Sequence, residues 1–199
     1  MAKFGLVVLG AHIGIHIKGE IEKILPEKVL LVEPVPHNVV EIKKNLNNLE
    51  GITIEQVALS DKNETRNFYF VKNTSIHKLK KHWSSGIGSF NKQHLLDHKS
   101  KRFKIEEEDI DKISIEAIRF KNLVDKYNIN QIDKLLVDVE GSEFAILNDI
   151  DLSSVNIKKI IFEYKHFDGY QTTGKKLKEI LKKFEENGLS LIHISEPTR

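Results

Sequence analysis

The sequence predicts an α/β, Rossmann-like domain in which a mainly parallel sheet carries helices on both faces. Three observations predict it. Apolar, β-rich runs alternate with longer segments of helical period, the mark of successive βαβ units. The first run, FGLVVL at 4–9, is continuously apolar, as expected of a strand buried on both faces, and it empties into a glycine turn, G-A-H-I-G. The second run ends on an acidic residue, Glu33. At 199 residues the chain is expected to form one domain over 1–199, long enough to bury a core and short for two.

The remaining elements follow in order. Helical spacing over 13–25 stops at Leu25-Pro26, since proline cannot continue a helix. VLLVE at 29–33 is the second strand, and after Pro-Val-Pro a helix sets Val39, Ile42 and Leu46 on one face. ITIEQVAL at 52–59 reads as strand three and NFYFV at 67–71 as an antiparallel addition. ISIEAIRF at 113–120 alternates partly like a strand, and NLVDKYN after it is helical. A buried strand at 132–137 ends at Asp138 and precedes a helix carrying Phe144, Ile146 and Leu147. KKIIFEY at 158–164 is the next strand, and a last helix over 172–187 buries Leu177, Ile180, Leu181 and Phe184 before a Gly188 cap. Residues 72–112 fit no core element: they are basic, then abruptly acidic, and are expected to be a variable insert or lid. A solvated surface segment is the alternative. The sheet is expected to lack its last strands, and about 190–199, ending LIHISEPTR, reads as a non-native tail.

Composition narrows the class. A net charge of +2, from 31 basic and 29 acidic residues, demands no polyanion, so no nucleic-acid partner is expected. The absence of cysteine excludes disulfides and thiolate metal sites. No apolar run approaches the roughly 20 residues of a membrane span. The apolar N-terminus runs straight into the glycine loop without a small-x-small cleavage site, so it reads as a strand rather than a signal, and a cytoplasmic protein is the default.

Three places carry chemistry. In the turn Gly10 to Gly14, glycine permits a sharp turn and close approach to a ligand, while the following helix offers its positive end. Glu33, at the exit of strand two, is placed to accept hydrogen bonds from ribose hydroxyls. Both lie at carboxyl ends of strands, where open α/β sheets bind ligands, but together they admit several nucleotide cofactors. The run L-L-V-D-V-E-G-S-E, 135–143, delivers Asp138 and Glu140 to another strand end, where carboxylates can orient a cation or take a proton from a hydroxyl. Helix capping by Asp138, with Glu140 and Glu143 favouring the helix dipole, is the competing explanation. Glu163 and His166 are expected at the same mouth. His94 and His98 stand at i, i+4, a metal-binding spacing, but without the metalloprotease glutamate or an obvious third ligand no metal is assigned.

Taken in order, G-A-H-I-G, V-E-P-x-P-x-N (32–38), V-A-L-S-D (57–61), S-S-G-I-G-S (84–89), D-V-E-G-S-E (138–143) and I-x-F-E (160–163) resemble the FkbM family of S-adenosylmethionine-dependent methyltransferases. The likeness runs from Val7 to about Phe167. It implies a class I methyltransferase fold, S-adenosyl-L-methionine as cofactor, and O-methylation of a small-molecule, sugar or glycan hydroxyl. By that resemblance the loop of Gly10, Ala11, His12 and Gly14 would hold the methionine end of the cofactor. Glu33, with Pro34 and Asn38 of the same motif, would meet the ribose, and Ala58, Leu59 and Ser60 the adenine edge. Asp138 would lie nearest the transferred methyl and act as base, with Glu140 second and His166 third. The chemistry implied is an in-line displacement, so positioning of the two reactants dominates.

Two positions depart from the family's pattern. An Asp usually stands two residues before the first glycine, and here it is Val8; a Lys usually stands two before D-x-E-G, and here it is Leu136. Losing a charge-assisted hydrogen bond costs roughly 1.5–3 kcal/mol, so weaker cofactor binding is expected. A catalytically degenerate or truncated binding module is therefore one alternative. A nicotinamide-dependent oxidoreductase is another, disfavoured because G-A-H-I-G lacks the G-x-G-x-x-G spacing. Acceptor determinants are expected within 72–112.

Overall fold

A computed structural model of the chain describes residues 1–79, 82–100, 103–164, 167–168 and 174–190. Strand β1 (Ala2–Leu9), buried from Phe4 onward, leads through the glycine turn into α1 (Ile15–Ile24). Next come β2 (Val29–Val32), buried throughout, and α2 (Pro36–Asn45), whose first residue is a proline with φ already set for a helix. After β3 (Ile52–Glu55) the chain leaves this sheet. It builds β4 (Ala58–Leu59), β5 (Glu64–Val71), α3 (Asn73–Leu79), a 3-10 turn (His82–Gly86) and β6 (Gly88–Ser89). There follow α4 (Lys92–Leu96), the paired β7 (Lys99–Ser100) and β8 (Phe103–Lys104), and β9 (Ile110–Ile118). It returns with α5 (Phe120–Lys126), β10 (Ile129–Val137), α6 (Glu143–Asp149), β11 (Asn156–Ile157), β12 (Ile160–Phe162) and α7 (Lys175–Glu186).

The central sheet runs β3-β2-β1-β10, with β11 and β12 both on the far side of β10, and every pairing is parallel. Alternation along the strands divides the core in two. Leu6, Val8, Val29 and Leu31 pack with Ile17 and Ile21 of α1 and Ile42 of α2. Val7, Leu9, Leu30, Val32 and Val137 pack with Leu123 of α5, Ile146 of α6, and Leu177 and Ile180 of α7. Helices therefore cover both faces, as the alternation of apolar runs predicts. Gly188 ends α7 in the left-handed region (φ +80°), with Leu189 N–H donating to Phe184 C=O and Gly188 N–H to Glu185 C=O.

Two expected strands are interrupted. ITIEQVAL divides: β3 joins the central sheet, whereas β4 pairs parallel with Ala117 and Ile118 of β9. The break follows Glu55, whose carboxylate takes the Tyr127 hydroxyl and the Lys126 ammonium and so pins the strand's end. KKIIFEY narrows to β12, because exposed Lys158 and Lys159 separate it from β11. The 72–112 segment holds more regular structure than its charge suggests. With its flanks it forms a second sheet, β4-β9-β5-β6, over a separate apolar cluster of Val71, Leu79, Ile87, Leu95, Ile105 and Ile110. Among the described residues no helix is long and apolar enough to cross a membrane. His166 and the tail 191–199 lie outside the described residues.

Candidate active site

The chain winds outward from β1 through β2 to β3, then reverses to β10 on the other side of β1, so a crevice opens at the carboxyl ends of β1 and β10. Register brings the ends together: Leu9 pairs with Val137, and Asp138 N–H donates to Leu9 C=O at 2.9 Å. On the other side the N–H groups of Gly10 and Ala11 both donate to Val32 C=O at 3.0 Å, which sets Glu33 beside the loop. Gly10 has φ +87°, and a Cβ there would stand 1.8 Å from the Asp138 carbonyl oxygen. The first glycine of the loop is thus required by the contact between two strand ends.

Glu33 is buried and organises the floor. Its Oε2 accepts His12 N–H at 2.9 Å, and its Oε1 accepts Val35 N–H at 3.1 Å and the Asn38 side-chain amide at 3.0 Å. With about four acceptor positions on a carboxylate, one is left for an incoming hydroxyl. The Asn38 amide also donates to Ser85 C=O at 2.8 Å, and the Ser85 hydroxyl meets His12 Nε2. These contacts tie the 3-10 turn of the insert to the glycine loop.

Burial pushes the Glu33 carboxyl from an ordinary 4.5 to about 7. Glu143, also buried, rises to about 8, first through desolvation and then through the nearby Glu140 and Asp138 carboxylates. Both acids hold protons more tightly folded than unfolded. Their contribution to stability is full below about pH 4.5 and falls as pH climbs through 7 for Glu33 and 8 for Glu143. A Glu33→Gln variant checks this. Its amide NH2 would face the His12 N–H, donor against donor, costing about 1–3 kcal/mol at pH 5.5. The deficit narrows by pH 8.5, because only the wild type loses stability as the buried acid ionises. Urea unfolding at the two pH values measures it, and a pH-independent deficit would contradict the assignment.

Asp138, Glu143 and Glu163 each bring a carboxylate oxygen within 4.8 Å of the others. Glu143 accepts N–H groups from Val139 (3.0 Å) and Gly141 (3.0 Å), folding the D-x-E-G turn around itself. Glu140 has φ +54° and His12 φ +51°, a conformation costly for residues with a Cβ. Two of the three such non-glycine residues among those described flank this crevice, the third being Asn128.

Of the residues singled out from sequence, Gly10, Glu33, Pro34, Ala58, Leu59, Asp138 and Glu140 line the crevice, which is open to solvent. Ala11, His12, Gly14, Asn38 and Ser60 stand behind it: His12 and Asn38 hold Glu33, Ser60 N–H closes the insert onto Ile118 C=O, and Gly14 starts α1 at φ +78°. Phe68 of β5 and Phe90 line the opposite wall, their rings edge to face at 5.2 Å. Sequence reasoning passed over both. The period of two in N-F-Y-F-V, which puts Phe68 and Phe70 on one face, is the signal that points to the first.

Val8 and Leu136 prove to be register partners on β1 and β10, and both pack on the α1–α2 side of the sheet. An Asp and a Lys at these places would face each other. Here the two positions are filled by apolar side chains that pack with the same cluster.

His94 and His98 of the HLLDH run find a third companion that spacing did not reveal. One donor atom from each of His94, His98 and Glu140 lies within 4.8 Å of the other two.

The model of a protein family described as a methyltransferase FkbM domain matches residues 10–191. No curated protein and no solved structure matches the chain.

Proposed function

The chain belongs to the FkbM methyltransferase family, and from that premise we propose that it is an S-adenosyl-L-methionine-dependent O-methyltransferase acting on a hydroxyl of a small molecule, sugar or glycan. The observation that carries the reading is the pair of carboxylates, Glu33 and Asp138, on either side of Gly10 at the reversal of strand order. One hydroxyl of a ribose suits the remaining acceptor position on Glu33, and a sulfonium suits a crevice rich in carboxylates. The loop amides of Gly10, Ala11, His12 and Gly14 are all bonded within the protein, which disfavours the pyrophosphate of a dinucleotide.

When bound, the cofactor supplies an electrophilic methyl group on a positively charged sulfur. This chain's own residues do the rest. Glu33 fixes the sugar, Phe68 and Phe90 form the apolar wall that excludes water, and Asp138 holds the acceptor hydroxyl and takes its proton. Glu140 extends the acidic rim. The aromatic wall belongs to the excursion 60–118, so the acceptor is selected there.

Titration calorimetry with S-adenosylmethionine, its demethylated product and NAD tests the reading. Binding of the first two and not the third is expected. Hydroxyls donated to Glu33 and positive charge near Glu143 favour the ionised forms, so binding releases protons and tightens as pH rises from 6 to 8.5. The heat of binding should therefore depend on the buffer's own ionisation enthalpy. Binding of NAD alone, or of no nucleoside, would overturn the proposal.

A further inference from the structure

We propose that His94, His98 and Glu140 form a site for one divalent transition cation of the zinc class at the rim of the crevice. The donor set comes from two separate parts of the fold. His94 lies on α4, and His98 follows on the same turn, its N–H donating to Leu95 C=O at 3.2 Å. That turn is held before any ligand arrives. Leu95 is fully buried in the cluster under the second sheet, the Asn91 side chain caps the helix by accepting Gln93 N–H, and Gln93 donates to Asp97. Glu140 enters from the β10–α6 turn in an unfavourable left-handed conformation, with its carboxylate near His94.

The two imidazoles already stand at the spacing of zinc ligands, and Glu140 would have to close by about half an ångström to join them. His94 Nε2 and His98 Nε2 are 3.4 Å apart with ring planes at 78°, and His94 Nε2 lies 3.8 Å from Glu140 Oε2. Ligands held tetrahedrally at about 2.0–2.1 Å from zinc stand about 3.3–3.4 Å from one another. An ordinary N–H hydrogen bond is shorter, about 2.7–3.2 Å. Two imidazoles and one carboxylate suit zinc or its neighbours rather than magnesium or calcium, which prefer oxygen alone. Three protein ligands leave a fourth position open.

Glu140 lines the crevice as Asp138 does, so a cation on these three ligands would stand beside the crevice, joined to it through Glu140. Its role rests on the methyl-transfer reading, although the cation site itself does not. A cation held there would acidify a hydroxyl bound to it, and Asp138 would take that proton; the oxygen would form the new C–O bond as the methyl–sulfur bond breaks and its electron pair passes to sulfur.

The test uses the full chain, stripped with chelator and titrated with Zn²⁺ and, separately, Co²⁺. One equivalent per chain is expected, and the cobalt form should show the intense visible absorption of a tetrahedral site. His94→Ala, His98→Ala and Glu140→Gln should each weaken Zn²⁺ binding at least about 100-fold, while His37→Ala does not. Circular dichroism confirms folding of each variant, and the cobalt spectrum of the unaltered chain stands independent of any variant. Less than about 0.1 equivalent bound, an octahedral cobalt spectrum, or unchanged affinity in the variants would overturn the site. Nucleoside calorimetry separates the two readings: Zn²⁺ bound without S-adenosylmethionine leaves the site and removes the function, and the reverse leaves the function and removes the site.

Discussion

Gly10→Ala is expected to lower the stability of the protein by more than about 4 kcal/mol, the range reserved for changes that force backbone apart. Two costs combine. A residue with a Cβ at φ +87° is strained by roughly 1–2 kcal/mol. The added carbon would also sit 1.8 Å from the Asp138 carbonyl, so the carboxyl ends of β1 and β10 must separate. That separation breaks the bond from Asp138 N–H to Leu9 C=O and opens the crevice between Glu33 and Asp138. For a chain of this size each kcal/mol shifts the melting temperature by about 2–4 °C, so a fall of roughly 10 °C or more should be seen by calorimetry. Gly19→Ala provides the contrast. That glycine lies on helix α1 with nothing within 4 Å of an added methyl, and alanine there should stabilise by about 1 kcal/mol. Similar melting temperatures for the two variants would refute the argument.

Asp138→Asn should reduce methyl transfer by about two to four orders of magnitude while leaving the fold intact. The side chains are nearly the same shape, but the amide cannot accept a proton. Glu143 is poor compensation, because burial and its acidic neighbours keep it protonated up to about pH 8 and its oxygens already hold the Val139 and Gly141 amides. Removing one negative charge from the cluster also relieves repulsion, so the variant should unfold at the same or a slightly higher temperature than the parent. The expected signature is therefore a collapsed kcat with cofactor affinity changed far less. Single-turnover transfer to an acceptor that the parent methylates measures it, and a loss smaller than tenfold would remove Asp138 from the role of base.

Much of the crevice was legible before the fold because its parts are local. A buried run that stops at a glycine, and two others that stop at acids, locate Gly10, Glu33 and Asp138 at strand ends whatever the strand order. The remainder depends on pairing between distant segments. Val8 and Leu136 looked like two separate losses until the β1–β10 register set them side by side. Glu140 looked like a neighbour of Asp138 alone, and nothing in HLLDH announces that a carboxylate 42 positions beyond His98 comes to meet it. The charged stretch 72–112 misled for a related reason: its buried apolar residues stand five to ten positions apart, too far to mark one helix or strand, and only the second sheet gathers them into a cluster. Phe90, two positions beyond Gly88, joins the wall because β6 pairs with β5.

The excursion between β4 and β9 departs and returns through adjacent residues. Ala58 pairs with Ala117, Leu59 with Ile118, and Ser60 N–H closes on Ile118 C=O at 2.9 Å. To the rest of the chain it is a loop whose two feet are already clamped together. Closing such a loop costs only about 0.6 kcal/mol more for each doubling of its length. The arrangement makes the excursion a graftable cassette. A lineage, or an engineer, can lengthen, shorten or replace parts of it at those feet and keep the β1, β2 and β10 ends in register, provided that the turn carrying Ser85 still meets Asn38 and His12.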